Sequence, residues 1–267
     1  MKFDFEIRPI NKFEAYKLIE KYHYSRVMPR LTKVYLGFFL NDKLVGVMTY
    51  GWGTQPLGTL NLLFKGCGLK TNDYYELGKF CVDENMPKLT ETQMLSKGIS
   101  WLKQNCPEKK FLYTLADGIM AKKGTIYQAS NFLYGGYFWT DVYITKDGEK
   151  IHPRTAKGLC KENAKFCGKE KIFWLTKDFM KTKGITRIRG KMFRYIMPLS
   201  KKARKLLDKS TTEWNTNYPK EKDLEWKIQT DGGYEIIKEM PNFNLNVVNI
   251  NKDNVNAYKV EDNIFFG

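Results

Sequence analysis

Histidine and paired cysteines are scarce in this chain, which limits the kinds of site that it can build. It has two histidines, His23 and His152, and five cysteines that form no Cys-x-x-Cys pair. A zinc site made of histidines and cysteines is therefore not expected. An odd number of cysteines is typical of reduced thiols inside a cell rather than of a disulfide framework.

Long apolar runs are also missing. No run approaches the roughly 18 apolar residues that a membrane-spanning helix needs. Asp4 and Glu6 lie where a signal peptide would be apolar. We therefore expect a cytoplasmic protein without membrane segments. Its 42% hydrophobic and 15% aromatic residues are typical of a folded globule.

Positive charge is in excess and unevenly spread. The formal net charge is +16, to which residues 1–145 contribute +6, residues 146–205 contribute +14 and residues 206–267 contribute −4. A general bias towards lysine would not leave one end of the chain acidic. A concentrated basic segment is typical of proteins that bind polyphosphates. We therefore expect residues 146–205 to contact nucleic acid.

The hydrophobic pattern of the first 145 residues predicts an α/β protein with a mixed sheet. Strict alternation of apolar and polar residues marks strands, and apolar residues three or four apart mark helices. The resulting order, β-α-β-β-β-α-β-α-β, combines antiparallel hairpins with helical crossovers, which join parallel strands. The predicted strands are 3–10, 34–40, 44–50, 75–82, 111–116 and 132–144, and the predicted helices are 11–21, 90–104 and the short turn 124–131.

The pattern is weaker beyond residue 150. It predicts a helix over 154–166, strands over 172–176 and 192–197, and a basic helix over 200–208. Residues 210–267 are polar and turn-prone, without a clear period. We therefore divide the chain into a catalytic domain, residues 1–205, and a C-terminal extension, residues 206–267.

Two polar clusters far apart in the sequence are expected to meet. One is Tyr22–Arg26, just after the first predicted helix. The other starts at Asp117, at the predicted end of a strand, and includes Tyr127 on the short helix that Gly124 opens. The mouth of such a β-α-β unit is where open α/β sheets hold ligands. The sequence therefore predicts one catalytic cleft rather than a plain binding module.

The order of these motifs resembles the Mom-type family of phage DNA-modification proteins, which have a GNAT-like acyltransferase fold. That family implies a splayed central sheet that admits an acyl-coenzyme A. It also implies conversion of adenine in DNA to a methylcarbamoyl-type N6 adduct, which protects phage DNA from restriction in the host cytoplasm. The resemblance covers about residues 1–205; its most specific block is Gly124–Phe132, supported by 23–25, 76–79, 83–87, 116–117, 152–154 and 192–196.

The chemistry of adenine N6 then assigns roles to the candidate residues. The amine is a poor nucleophile, so it must be held in place and lose a proton while charge on the acyl oxygen is stabilised. Inside a duplex the base must also swing out of the stack. The candidate catalytic residues are His23, Tyr24, Ser25, Asp117 and Tyr127.

Each role has a structural alternative. His23 is interpreted as a general base or a ligand, but it is also a residue favoured at a helix C-terminus. Asp117 can orient His23, bind the amine or ligate a metal, but it can also form an Asx turn before Gly118. Tyr127 can donate a proton or stack on the base, but it can also be a core residue.

The expected cofactor is acetyl-coenzyme A or a related acyl-coenzyme A. Segment 85–92 lacks the glycines with which GNAT enzymes usually surround the pyrophosphate, so the main-chain N–H groups of the following helix would have to bind it. The family also suggests iron, for which His23 and Asp117 fall one ligand short of the usual facial triad. The candidate cofactor contacts are Val82, Lys88, Thr90, Thr92 and Asn131.

Basic residues at regular spacing are candidates for contacts with DNA phosphates. Large aromatic residues can stack on a base, although they are more often in the core. Two other functions remain open, namely N-acetyl transfer to a protein or small amine, and DNA binding without catalysis. The candidate DNA contacts are Arg26, Arg30, Arg154, Lys157, Lys161, Arg187, Arg189, Lys191 and Arg194, and the candidate stacking residues are Trp52, Tyr137, Trp139 and Trp174.

Overall fold

A large mixed sheet organises the protein. The computed structural model describes residues 3–25, 28–53, 55–151 and 156–244, without the side chains of 156 and 157. The strands are β1 Glu6–Pro9, β2 Leu31–Leu40, β3 Lys43–Trp52, β4 Tyr74–Val82, β5 Phe111–Asp117, β6 Leu133–Ile144, β7 Lys150–Ile151, β8 Thr186–Pro198, β9 Trp226–Thr230 and β10 Gly233–Ile237. The helices are α1 Lys12–Tyr22, α2 Pro56–Leu63, α3 Thr90–Asn105, α4 Thr125–Ala129, α5 Ala156–Phe166, α6 Lys177–Lys183 and α7 Lys201–Leu207.

The strand order is β1-β2-β3-β4-β5-β8-β6-β7. The first four strands are antiparallel, and the turn of the β2–β3 hairpin places Asn41 and Asp42 at positive φ, as a tight hairpin requires. Helix α3 crosses over to make β4 and β5 parallel. The predicted mixed sheet with flanking helices is therefore confirmed.

The sheet splays between β4 and β5. These strands pair only at their beginnings, through Tyr74 with Phe111, Tyr75 with Leu112 and Glu76 with Tyr113. Beyond these pairs β4 runs on to Val82 beside β3, and β5 runs on to Asp117 beside β8. The predicted splayed centre is confirmed, and it opens a cleft between the far ends of the two strands.

Helices cover both faces of the sheet. Asn11 and Glu14 form the capping box that starts α1, which packs against Val47. On the opposite face α3 approaches so closely that a side chain at Gly98 would collide with Met48. Among the described residues no helix is both long and apolar enough to cross a membrane.

Three sequence predictions about local structure were wrong. Residues 172–176 form a loop between α5 and α6, and Pro56 starts helix α2 in a stretch that had no predicted element. Strands β9 and β10 lie in the turn-prone region for which no strand was predicted, and β9 pairs with β8 beyond the point where β5 ends. The described part of 206–267 thus adds two strands to the main sheet, while a domain boundary at 205 stays a prediction.

Candidate active site

A cavity of about 990 Å³ lies in the splay and brings the two predicted clusters together. Its wall includes residues 22–25 after α1, residues 76–82 of β4, and residues 115–117 at the end of β5. Residues 121–127, which lead into α4, form the opposite side. All five predicted catalytic residues therefore line one cavity.

The imidazole of His23 has a defined orientation. Its Nδ1 accepts a hydrogen bond of 2.9 Å from the main-chain N–H of Ser25, and its ring stacks on Tyr24 at a centroid distance of 4.5 Å. Burial and the positive charge of Lys79 lower the pKa of His23 well below its usual value of 6.5. The neutral ring therefore carries its proton on Nε2 and can donate, but not accept, at that atom.

Lys79 is a site residue that the sequence analysis missed. It is buried in the cavity wall, where its Nζ donates to the main-chain oxygen of Ser25 at 2.8 Å and to Ser25 Oγ at 3.1 Å. A bulge at Gly78 precedes it, because Thr49 pairs with Lys79 while Tyr50 pairs with Leu77. A lysine within the buried alternation of a strand was the signal available in the sequence.

Lys150 is a second missed residue. Its Nζ lies 3.6 Å from Asp117 Oδ2 and 5.6 Å from the centre of the Tyr24 ring. Asp117 Oδ1 also accepts from the main-chain N–H of Ile119 at 3.1 Å. The Asx turn and the active-site position of Asp117 thus coexist. Lys150 lies in the two-residue strand β7, which is too short to produce a sequence pattern.

The two tyrosines have different surroundings. Tyr24 lies near Asp117 and Tyr127, and burial and the Asp117 charge raise its pKa well above 10. Tyr127 packs against Phe132 and Tyr195, and its hydroxyl accepts from Thr114 Oγ1 at 3.3 Å. Burial raises the pKa of Tyr127 as well. Both side chains are therefore neutral phenols at physiological pH.

Gly124 shapes the loop that faces this pair. Its φ of +83° belongs to the left-handed region, and a Cβ there would lie 2.4 Å from the Tyr195 ring. The Tyr195 hydroxyl donates to the carbonyl oxygen of Lys123. Glycine is thus required by both conformation and space, which accounts for its place at the start of the Gly124–Phe132 block.

The predicted cofactor contacts divide into two groups. Val82 and Thr92 line the cavity, and so do Leu89 and Glu91 at the start of α3. Lys88, Thr90 and Asn131 lie outside the lining, and the hydroxyl of buried Thr90 donates to the carbonyl oxygen of Pro87 at 2.7 Å. Leu89 supplies no side-chain cap, so main-chain N–H groups at the α3 start are available to an anion.

The side chains do not fit a resident iron. Within the described residues no three His, Cys, Asp or Glu side chains converge as a metal site would require. Nδ1 of His23 is engaged by Ser25, and the proton on Nε2 blocks the other nitrogen. Asp117 is engaged by Lys150 and Ile119. We therefore assign no iron to this pair.

The basic residues of β8 that were predicted to contact DNA have partners inside the protein. Arg187 and Arg189 both bind the carboxylate of Asp141, the latter through Nε at 2.7 Å. Lys191 is buried, and its Nζ lies 3.2 Å from Glu225. Arg194 lies over the ring of Phe138. These contacts fix the positions of the four side chains, and their contact with DNA stays a prediction.

The other predicted DNA contacts are differently placed. Arg30 and Lys161 are exposed. Arg26, Arg154 and the side chain of Lys157 lie outside the described residues. Their contact with DNA stays a prediction.

Three of the four candidate stacking residues have contacts within the fold. Trp52 donates to Thr71 and packs on Tyr75, whereas Tyr137 and Trp139 hold Lys191 between them. Trp174 is exposed.

Comparisons with known proteins point to one family. A sequence model described as the Mom protein family matches residues 4–220. Methylcarbamoylase mom of Escherichia phage Mu is 25% identical over 205 residues, which are 77% of this chain and 80% of the phage Mu protein.

Solved structures of acetyltransferases also align with the chain. The ribosomal-protein-S18-alanine N-acetyltransferase of Escherichia coli aligns with a TM-score of 0.41 and 11% identity over 74% of this chain and 95% of its own. An N-acetyltransferase of Staphylococcus aureus Mu50 aligns with a TM-score of 0.38 and 12% identity over 73% of this chain and 98% of its own.

Proposed function

Because the chain belongs to the Mom protein family, we propose that it is a GNAT-like phage transferase that attaches a methylcarbamoyl-type group to adenine N6 in double-stranded DNA. The modification protects the DNA from restriction in the host cytoplasm. The observation that carries the proposal is the meeting of the His23–Ser25 segment with Asp117 in one cavity.

The cavity suits a base that has left the duplex. Ligand pockets typically measure about 300–1,000 Å³, and this one, at about 990 Å³, has room for a purine and an acyl group together. Its wall presents the Tyr24 ring and the charged groups of Lys79 and Asp117. Enzymes that modify a base within duplex DNA need such a pocket because the target atom is inaccessible in the stack.

Asp117 is the proton acceptor of the reaction. As the N6–C bond forms, N6 becomes positively charged and its N–H bonds become acidic, so a carboxylate beside it can remove a proton. Lys150 and the N–H of Ile119 fix the direction of this carboxylate. Their hydrogens also stabilise the negative charge that Asp117 carries before the transfer.

His23 is a hydrogen-bond donor rather than the general base. Its Nδ1 already accepts from Ser25, so Nε2–H is the group that faces a substrate. We assign Nε2–H to the acyl oxygen, where negative charge develops. Lys79 supports this role, because it holds the Ser25 main chain and its charge disfavours a second proton on the ring.

The start of α3 is the proposed site for the activated donor. A bound acyl-coenzyme A would supply an acyl carbon for the amine to attack, and the coenzyme A thiolate would leave as the C–S bond breaks. Val82 and Thr92 line the cavity here, and the uncapped N–H groups of α3 suit the pyrophosphate. Glu91 lines the same cavity, and its negative charge opposes that of a pyrophosphate. No basic side chain of α3, a fully described helix, lines the cavity, so the N–H groups would bind the anion without such help.

Mass spectrometry of nucleosides tests the proposed function. Plasmid DNA is isolated from cells that produce the protein and is digested completely. We expect a deoxyadenosine of increased mass, which is absent when the producing gene carries Asp117→Ala. Unmodified DNA together with newly acetylated protein would instead support the N-acetyltransferase alternative. Unmodified DNA that the purified protein nevertheless binds would support a non-catalytic DNA-binding protein.

A further inference from the structure

Phe173 and Trp174 form an exposed aromatic pair on the loop between α5 and α6. Their exposed fractions are 74% and 56%, whereas those of their neighbours Ile172 and Leu175 are 5% and 2%. Two adjacent large aromatic side chains in water forgo the free energy that burial would supply. Such a pair is typical of a surface that another molecule covers.

Hydrogen bonds and buried side chains fix the loop that carries the pair. The fully buried Asn163 donates from Nδ2 to the main-chain oxygen of Trp174 at 2.8 Å, and its Oδ1 accepts from Thr176 Oγ1 at 2.7 Å. Ile172 and Leu175 anchor the loop on both sides of the pair. The aromatic rings therefore project from a fixed base, which keeps the entropy cost of binding low.

The surroundings of the pair are basic. Lys165, Lys169 and Lys171 are exposed and form no ion pair with any described residue, and Lys171 Nζ lies 4.9 Å from the centre of the Phe173 ring. Lys183, by contrast, is paired with Glu162 at 2.8 Å. The unpaired cations give the aromatic pair a surface complementary to a polyanion.

The apolar cluster beneath the loop includes the chain neighbour of a residue that lines the cavity. Leu175 packs in a cluster with Ile151. Ile151 follows Lys150, whose Nζ lies 3.6 Å from Asp117. The aromatic pair is thus connected by packed residues to the carboxylate that we assign to the reaction.

We propose that Phe173 and Trp174 act as a wedge that enters the base stack of duplex DNA beside the displaced adenine. This inference rests on the proposed function, which requires that an adenine be displaced from the duplex beside the wedge. Extruding a base costs stacking energy, and aromatic or apolar side chains inserted between base steps offset that cost in proteins that deform DNA. The three unpaired lysines hold the flanking phosphates.

Binding to two duplexes tests the wedge. Fluorescence anisotropy of the full chain is measured with an intact labelled duplex and with the same duplex containing one abasic site opposite thymine. We expect tighter binding to the abasic duplex, because the rings fill a gap already present. The double variant F173A/W174A loses this preference and binds the abasic duplex about tenfold more weakly.

The lysines are tested through salt. The triple variant K165Q/K169Q/K171Q should reduce the slope of log affinity against log salt by about 0.9 for each phosphate that the protein no longer neutralises. Phe13, which is 45% exposed on α1, supplies a matched control, and F13A should leave both affinities unchanged.

Three results would overturn the wedge. The first is equal binding of both duplexes by the protein without substitutions. The second is binding of the abasic duplex by F173A/W174A as tight as that by the protein without substitutions. The third is binding of this surface to anionic lipid vesicles in preference to DNA. The thermal unfolding midpoint of the double variant must match that of the unmodified chain. If cellular DNA proves unmodified but F173A/W174A still loses the abasic preference, the proposed function fails and the wedge stands.

Discussion

Lys150 Nζ lies 3.6 Å from Asp117 Oδ2, and only 13% and 14% of these two side chains are exposed. The pair joins the end of β5 to the start of the basic segment, whose charge is otherwise directed outward or paired. Removing one member of such a pair leaves the other charge without compensation. Lys150 therefore serves the active site rather than the DNA surface.

Lys150→Met should reduce modification of DNA by about 100-fold or more, because Asp117 loses the group that fixes its direction as a proton acceptor. The fraction of modified deoxyadenosine in plasmid DNA measures the effect. Lys103, exposed on α3, gives a control of the same charge change, and K103M should behave as the unmodified chain. Equal modification by K150M and K103M would show that the ion pair has no part in the reaction.

The pH dependence of activity should show no step from His23. Its lowered pKa keeps the ring neutral near pH 6.5. If an unperturbed histidine acted as the base, the rate would instead rise as the pH increases through that value. His23→Gln should keep part of the activity, since glutamine also donates a hydrogen bond, whereas His23→Leu should lose it. A rate that rises through pH 6.5 only when His23 is present would identify the ring as a base instead.

Stability should depend on pH through the same residue. The unfolded chain binds a proton at His23 near pH 6.5 and the folded chain does not, so the folded state loses stability as the pH falls below that value. The penalty is absent above it. Urea unfolding between about pH 7 and pH 5 should therefore show a smaller decline for His23→Gln. Parallel declines for both proteins would contradict the assigned protonation.

Gly124→Ala should lower the free energy of unfolding by about 2–4 kcal/mol, because it adds a clash with Tyr195 to the strain of a left-handed residue. Gly68 is the matched control, since its φ is +64° but a Cβ there meets nothing within 4 Å. Gly68→Ala should cost about 1–2 kcal/mol. Thermal or urea unfolding compares the two, and equal losses would mean that the space beside Tyr195 is not limiting.

Trp226→Ala should destabilise the protein by about 3–5 kcal/mol. Its buried ring packs with Ile119 and Ile188, and its Nε1 donates to the carbonyl oxygen of Ile119 at 2.9 Å. Ending the chain after Leu207 should have at least this effect, because it removes β9 as well. Trp174→Ala is the control for loss of an exposed indole. A shortened chain that unfolds like the full one would show that the described part of the extension is not needed for stability.

Local patterns predicted the part of the fold that depends on local physics. The helix that starts after Asn11, the short turn at Asn41 and Asp42 between two predicted strands, and the helix that begins at Thr90 each follow from neighbouring residues. The position of β8 between β5 and β6 depends on contacts across more than about forty residues, which no local period records. The loop 172–176 looked like a strand because Phe173 and Trp174 are apolar, yet both are exposed.

The site was predicted only in part, because local patterns reveal some of its residues and not others. Motifs placed His23 and Asp117 in one cleft, because each lies at the end of an element whose period is readable. Lys150 lies in a two-residue strand that leaves no regular pattern. Lys79 lies in the readable alternation of β4, where a lysine at a buried position was the signal that went unused. The basic alternation of β8 did not reveal that Arg187 and Arg189 bind Asp141, because Asp141 lies on another strand.

The most direct test of the account compares nucleosides from DNA exposed to the unmodified chain and to Asp117→Asn, both verified as folded by their unfolding midpoints. Asparagine keeps the size of the side chain and its turn but cannot take the proton. The account predicts deoxyadenosine of increased mass with the unmodified chain and almost none with Asp117→Asn. Equal amounts of modified deoxyadenosine from the two proteins would contradict it.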